Sequence, residues 1–218
     1  MAITHLPPMA IDGHQPVAPG GPDHPMRIAT QRAAGLAPEG WTGELRDQVR
    51  TFFDQAASDW HASRTSPGRT AIVADALGRG LVPLQGGASR LAIELGSGTG
   101  AYSGIIAERF VRVLAVDLSM AMLREAAAGP AHRIQADGAR LPVADAAADA
   151  VVLINAFLFP DEVARVLAPA GAVVWVNSSG ERTPIHLPVD EVAARLPGTW
   201  SGVASRAGEG LWCVLRRA

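Results

Sequence analysis

Apolar positions along this chain of 218 residues fall into two patterns, short unbroken runs and longer stretches of helical period, which alternate from about residue 43 onward. Beyond Gly43, the positions Leu45, Val49, Phe52, Phe53, Ala56 and Trp60 form one wide apolar face, which predicts an amphipathic helix. A second helix is expected over about 68–79 through Ile72, Val73, Ala76 and Leu77, with a loop over 83–89. The unbroken runs predict strands near 91–95, 111–116, 132–136, 149–155, 171–177, 200–206 and 211–216. Strands that alternate with helical segments describe one α/β domain with a mostly parallel sheet, and the length suffices for one sizeable core.

Residues 1–42 break the pattern. Pro7, Pro8, Pro16, Pro19, Pro22, Pro25 and Pro38 lie among small residues, without the basic start and apolar core of a secretory signal. They are expected to be a disordered or loosely packed arm ahead of a domain over 43–218, able to fold over an active site or to touch a second subunit. His5, His14 and His24 are spaced too irregularly for a metal site, and no metal is expected.

The segment 91–100, Leu-Ala-Ile-Glu-Leu-Gly-Ser-Gly-Thr-Gly, runs a strand into a glycine-rich turn. Tyr102, Ile105, Ile106 and Phe110 then continue at helical spacing. Glycine lets a ligand approach such a turn closely. Two ligand classes fit. Gly96, Gly98 and Ala101, with Asp117 about 20 residues on, also satisfy the dinucleotide fingerprint, so a nicotinamide-dependent oxidoreductase is one reading. Glu94 separates the two, because a carboxylate at the strand end opposes a pyrophosphate and attracts the ammonium and sulfonium of S-adenosylmethionine.

With Glu94, Gly96, Gly98 and Gly100 in this order, the chain resembles the class I S-adenosylmethionine-dependent methyltransferases over about residues 45–218. The resemblance implies a Rossmann-like, seven-stranded, mostly parallel sheet with helices on both faces and the last strand antiparallel beside the fifth. It implies S-adenosyl-L-methionine as cofactor, held at Glu94, Gly96, Ser97, Gly98 and Gly100. Asp117 would take the ribose hydroxyls, and Leu118 would pack on the adenine with Met122 nearby. Asp137 would accept from the adenine amino group beside Gly138 and Ala139, and Asn155 would close the site. Residues 161–171 resemble the helix and turn before the family's fifth strand, a structural marker. Taken singly, Asp117 or Asp137 reads as a helix cap or turn residue; at this spacing with Glu94 they read as ligands. Asp145 and Asp149 lack that support and are expected in loops. The phrase Phe52-Phe53-Asp54 through Trp60 is similar to the segment covering the pocket in many small-molecule methyltransferases, with Trp60 and His61 as candidates for its lining.

Nineteen Lys and Arg against 21 Asp and Glu give a net charge of −2 without a basic stripe, so nucleic acid and anionic membranes are not expected partners. The single cysteine, Cys213, sits in an apolar run and reads as a buried structural thiol suited to a reducing cytoplasm. A monomer or homodimer is expected. The composition, rich in alanine and glycine and poor in lysine, suggests a high-GC bacterial source, for which the resemblance implies secondary metabolism as the setting.

In an open α/β sheet the acceptor lies beyond the strand ends, facing Asn155, Ala156 and Phe157; the stretch from Asn155 to Asp161 is shorter than the family's usual loop, which implies a pocket that is either more open or roofed by Phe157, Phe159 and the arm. Asn155-Ala156-Phe157-Leu158 lacks the two prolines that base or glutamine methylation would want, and the acids that metal-dependent catechol methylation would want. The expected reaction is therefore methyl transfer to oxygen or nitrogen of a small apolar or aromatic metabolite. His186, in the polar loop after the fifth strand, is the first candidate for a general base, with Asn155 and His61 also proposed for catalysis. His132, at a strand start, lies at the wrong edge. A cyclase or rearrangement protein on the same fold is the remaining alternative.

Overall fold

The computed structural model describes residues 2–11, 23–81 and 90–218; His14 and the 83–89 loop fall outside the described residues. Its strands are β1 (Ala2–His5), β2 (Leu91–Leu95), β3 (Arg112–Asp117), β4 (His132–Gln135), β5 (Ala148–Ile154), β6 (Leu167–Asn177), β7 (Trp200–Ala207) and β8 (Gly210–Arg217). They form one sheet in the order β1-β7-β8-β6-β5-β2-β3-β4. The five strands β4, β3, β2, β5 and β6 are mutually parallel, and β8 runs antiparallel between β6 and β7.

Both faces of the sheet are covered, which is why the strands read as unbroken apolar runs. Along β5, Val151 and Leu153 enter one core with Val173, Trp175, Trp200 and Leu215. Ala150, Val152 and Ile154 enter the opposite core with Val174, Val176, Trp212 and Val214. The first core is covered by α6 (Pro160–Val166) and α7 (Val189–Arg195), the second by α3 (Pro67–Asp75) and α4 (Ser103–Ala107). A π-helical turn, Ala76–Gly80, prolongs α3. Asp75, 6% exposed, fixes that turn by accepting from Arg79 Nε (2.5 Å) and Trp212 Nε1 (2.7 Å). Cys213 is buried in β8, and burial pushes its thiol well up from its usual range.

Two further helices, α1 (Pro25–Ala33) and α2 (Gly43–Arg64), share a small core with Ile185. Thr42 caps α2 by accepting from the Leu45 N–H at 3.2 Å. Asp54 of α2 accepts from Ser119 Oγ at 2.5 Å, just ahead of α5 (Met120–Glu125), and ties α2 to the end of β3.

The sheet has eight strands where the sequence predicts seven. The extra strand, β1, pairs parallel with β7, with Ala2 opposite Ser201 and His5 opposite Ala204. It comes from the stretch expected to be a loose arm, as does α1. Four residues supply too few alternations to reveal β1; what holds it is backbone pairing with β7, and Ile3 packed on the core. Asp149, expected in a loop, lies in β5, where its carboxylate accepts from the Arg90 and Leu91 N–H groups at 2.7 and 2.9 Å. The helix expected to run on to Phe110 ends at Ala107, and β6 starts at Leu167 because that residue already pairs with Ala148.

Candidate active site

The chain leaves β2 to build β3 and β4 on one side, then returns to place β5 on the other, so the ends of β2 and β5 border the crevice where the strand order reverses. Gly96, Gly98 and Gly100 turn the chain there with φ of 69°, 54° and 70°, a region that suits glycine. A cavity of about 240 Å³ opens over this turn.

Glu94 lies at its floor, 2% exposed, accepting a hydrogen bond from Ser103 Oγ. Burial raises its carboxyl to about 7; the Ser103 bond works against that and the nearby Asp117 charge adds to it. Asp117, at the end of β3, accepts from Gly98 N–H at 2.7 Å on one oxygen and from Ser119 N–H at 2.8 Å on the other. Burial pushes its carboxyl up, against the pull of these backbone donors. Each oxygen keeps a lone pair for a further donor. Ser97, Leu118, Met122 and Gly138 line the same cavity. The Ser97 hydroxyl is buried there without a hydrogen-bond partner.

Asp137 is set slightly back. Its carboxylate accepts from Trp41 Nε1 at 3.1 Å and from Ala139 N–H at 2.9 Å. Asn155 lines the cavity in a left-handed conformation, φ 49°. Its side chain exchanges two hydrogen bonds with Ser178, giving to Oγ at 2.8 Å and accepting from the N–H at 2.9 Å, and so joins the ends of β5 and β6.

Trp60 lines the cavity, whereas His61, exposed at the end of α2, bonds Thr99 Oγ1 at 3.2 Å through Nδ1 and is not part of the wall. His186 also stands outside the wall. Asn177 Oδ1 accepts from Trp175 Nε1 at 3.1 Å and lies 2.9 Å from His186 Nδ1, while Asn177 Nδ2 donates to the Ile185 carbonyl. This amide orientation makes the His186 Nδ1–H a donor to Asn177. Desolvation lowers the His186 pKa. His132 starts β4, at the opposite edge of the sheet from the glycine turn.

Several wall residues were not singled out from sequence. His24, Met26 and Trp41 come from the stretch read as an arm, and form a roof with Val49, Phe53 and Phe157. Trp41 packs on Phe157 and Phe159 with ring centroids 5.6 and 5.1 Å away. A signal for α1 was present: Pro25 is followed by Met26, Ala29, Thr30 and Ala33, the buried positions of the helix at helical spacing. Arg69, 8% exposed, lines the cavity with Tyr102 and donates to the Arg64 carbonyl at 2.8 Å. Its signal was an arginine in the buried face made by Ile72 and Val73. Burial lowers its pKa, and the described residues place no carboxylate within ion-pair distance of it.

The family described as "Methyltransferase domain" matches residues 93–175. No curated protein matches the chain. Among solved structures, a complex of DhpI with S-adenosylhomocysteine (SAH) is 22% identical, with 82% of this chain and 99% of that one covered at a TM-score of 0.63. The Haemonchus contortus phosphoethanolamine N-methyltransferase 1 is 19% identical, covering 69% and 37% at 0.52. The [4+2]-cyclase SpnF is 17% identical, covering 60% and 59% at 0.51. Four other matched structures are spanned over only 40% to 59% of their own length. From β2 through β6 the strand order, the glycine turn and the domain match agree: the chain has the class I S-adenosylmethionine-dependent methyltransferase fold, and its residues 93–175 match the methyltransferase-domain family.

Proposed function

We propose that the protein transfers the methyl group of S-adenosylmethionine to an oxygen or nitrogen of a small, mainly apolar or aromatic acceptor. The observation that carries this is one continuous cavity lined both by the buried acids Glu94 and Asp117 and by the aromatic side chains of Trp41, Phe53 and Phe157. The residues present fit the cofactor: a glycine turn, a buried hydroxyl on Ser97 without a partner, and spare lone pairs on Asp117. Glu94 offers a countercharge to the cofactor's cationic end, and Arg69 with Tyr102 suits its carboxylate. Asp117 is assigned to the ribose hydroxyls, Leu118 and Met122 to the adenine faces, and Asp137 with Gly138 and Ala139 to the adenine edge. When bound, S-adenosylmethionine supplies an electrophilic methyl carbon with a thioether leaving group. Asn155, held by Ser178, fixes the wall against which an acceptor aligns, and alignment of this kind accounts for much of the acceleration open to such a displacement. Cytoplasmic residence and a place in secondary metabolism belong to the same proposal, supported by the single buried cysteine and the composition. Among the described residues no helix is long and apolar enough to cross a membrane.

Calorimetric titration with S-adenosylmethionine, SAH and NAD tests the reading. Binding of the first two alone is expected; binding of NAD alone would move the protein to the oxidoreductases. Because a cyclase shares the fold, conversion of S-adenosylmethionine to SAH in the presence of an acceptor separates methyl transfer from rearrangement.

His186 was the first sequence candidate for a general base. With its ring outside the cavity wall, His186→Ala is expected to change the methylation rate by less than about threefold. A loss of about 10²-fold, the size expected of a general base, would return His186 to the reaction.

A further inference from the structure

The acceptor end of the cavity carries a polar edge that the sequence reading did not assign. His24, the N-cap of α1, accepts from the Met26 N–H through Nδ1 at 3.1 Å. A ring nitrogen that accepts has no proton, so the neutral ring carries its hydrogen on Nε2 and is a donor there. Ser179, 3% exposed, lines the same cavity, and its hydroxyl is buried with no partner. Its own N–H is already held by Thr183 Oγ1 at 3.2 Å. A buried hydroxyl without a partner is costly, and a ligand oxygen would remove that cost.

The fold brings the two groups to one wall. Arg27 Nη2 donates to the carbonyls of Glu181 and Thr183 at 3.4 and 3.3 Å, and Met26 packs with Ile185, so the start of α1 is fastened to the loop that carries Ser179. The amino end of α1 also favours partial negative charge nearby. Phe157, which follows Asn155 and Ala156 at the end of β5, packs with Met26 and Ile185 in one cluster and offers an aromatic ring to the same cavity. The two acids among the described lining residues, Glu94 and Asp117, are both assigned to the cofactor, so no further acid of the described lining is left to pair with a cationic amine.

We propose that His24 Nε2–H and the Ser179 hydroxyl receive the oxygen of a phenol-type acceptor, holding it as a hydrogen-bonded, partly ionised group under the aromatic roof. This deepens the methyltransferase reading and rests on it. Hydrogen bonds to the ionised form lower the pKa of the bound phenol, so its proton passes to solvent without a dedicated base, and the phenolate oxygen bonds to the methyl carbon as the carbon–sulfur bond breaks and S-adenosylhomocysteine leaves.

The test uses the full chain saturated with SAH, with 4-nitrophenol and 4-nitroaniline as probes of similar shape. The phenol is expected to bind about tenfold more tightly than the aniline, with its phenolate absorbance appearing about one pH unit lower than in free solution. His24→Asn keeps a good helix cap but removes the ring donor, and should return the absorbance midpoint to the free value. Ser179→Ala should weaken the phenol several-fold. Equal binding of the two probes, no binding of the phenol, or an unshifted midpoint in the unaltered protein would overturn the proposal, as would a shift that survives His24→Asn. SAH binding is measured separately by calorimetry. Its absence would overturn the cofactor reading and this one with it, whereas SAH binding without the phenol response defeats this proposal alone.

Discussion

Titrated from about pH 5.5 to about pH 7.5, the protein will bind S-adenosylmethionine more tightly as pH rises and will level off near the upper end. The cause is Glu94, whose carboxyl is raised by burial to about 7 in the free protein. A cation beside it favours the ionised form, so the pKa falls on binding. Below about 7, binding must therefore expel a proton, and affinity falls by up to about tenfold per pH unit. Above that value Glu94 is already ionised and adds no slope. Glu94→Gln should abolish the slope and lower affinity at the plateau by about 1–3 kcal/mol, a factor of roughly 5–150. Asp117→Ala should cost a similar amount but keep the slope. Its midpoint would move down, because the Asp117 charge helps hold the Glu94 carboxyl up. Calorimetry in two buffers of different ionisation enthalpy reads the released proton directly. Unchanged affinity in both variants would remove these acids from the cofactor site.

The sequence was most legible where the chain is most regular. The strands of the central sheet carry apolar runs because helices cover both faces, and the turn at Gly96 to Gly100 needs residues that tolerate positive φ. Both demands leave marks on composition within a few residues. The N-terminal stretch left weaker marks. Ala2 to His5 becomes a strand only because β7 presents a free edge to it, a property of a segment some 200 residues away. Trp41 reaches Asp137 across a separation of 96 residues, and no local spacing records that bond. His186 shows the opposite case. Its position after β6 suggested access to the site, but its ring orientation is set by Asn177, whose amide is fixed in turn by Trp175 and the Ile185 carbonyl. Side-chain networks of this kind decide which of several plausible histidines meets the cavity. Among the described residues it is His24, from the stretch that the sequence reads as an arm.

Gly96→Ala should be among the most damaging single-methyl changes at the site. At Gly96 the backbone has φ 69°, and an added Cβ would come within 2.8 Å of the Ala156 Cβ. Ala156 follows Asn155 at the end of β5, so the contact falls across the crevice between β2 and β5, where both residues line the cavity. Left-handed strain and overpacking together predict a cost of about 2–4 kcal/mol, or a fall of roughly 5–15 °C in Tm for a chain of this size. The wedge also displaces Asn155 from Ser178, so affinity for SAH should fall along with stability. Gly104→Ala is the matched control. It adds the same methyl group eight residues later, inside α4, where nothing lies within 4 Å. There the helix gains propensity, and stability should hold or rise by up to about 1 kcal/mol. Thermal melts with and without SAH distinguish the two sites, since a bound ligand should raise the Tm of Gly104→Ala as it does for the unaltered protein and should barely raise that of Gly96→Ala. Equal melting and equal ligand shifts in the two variants would mean that the turn at Gly96 neither constrains the backbone nor approaches β5 closely enough to shape the site.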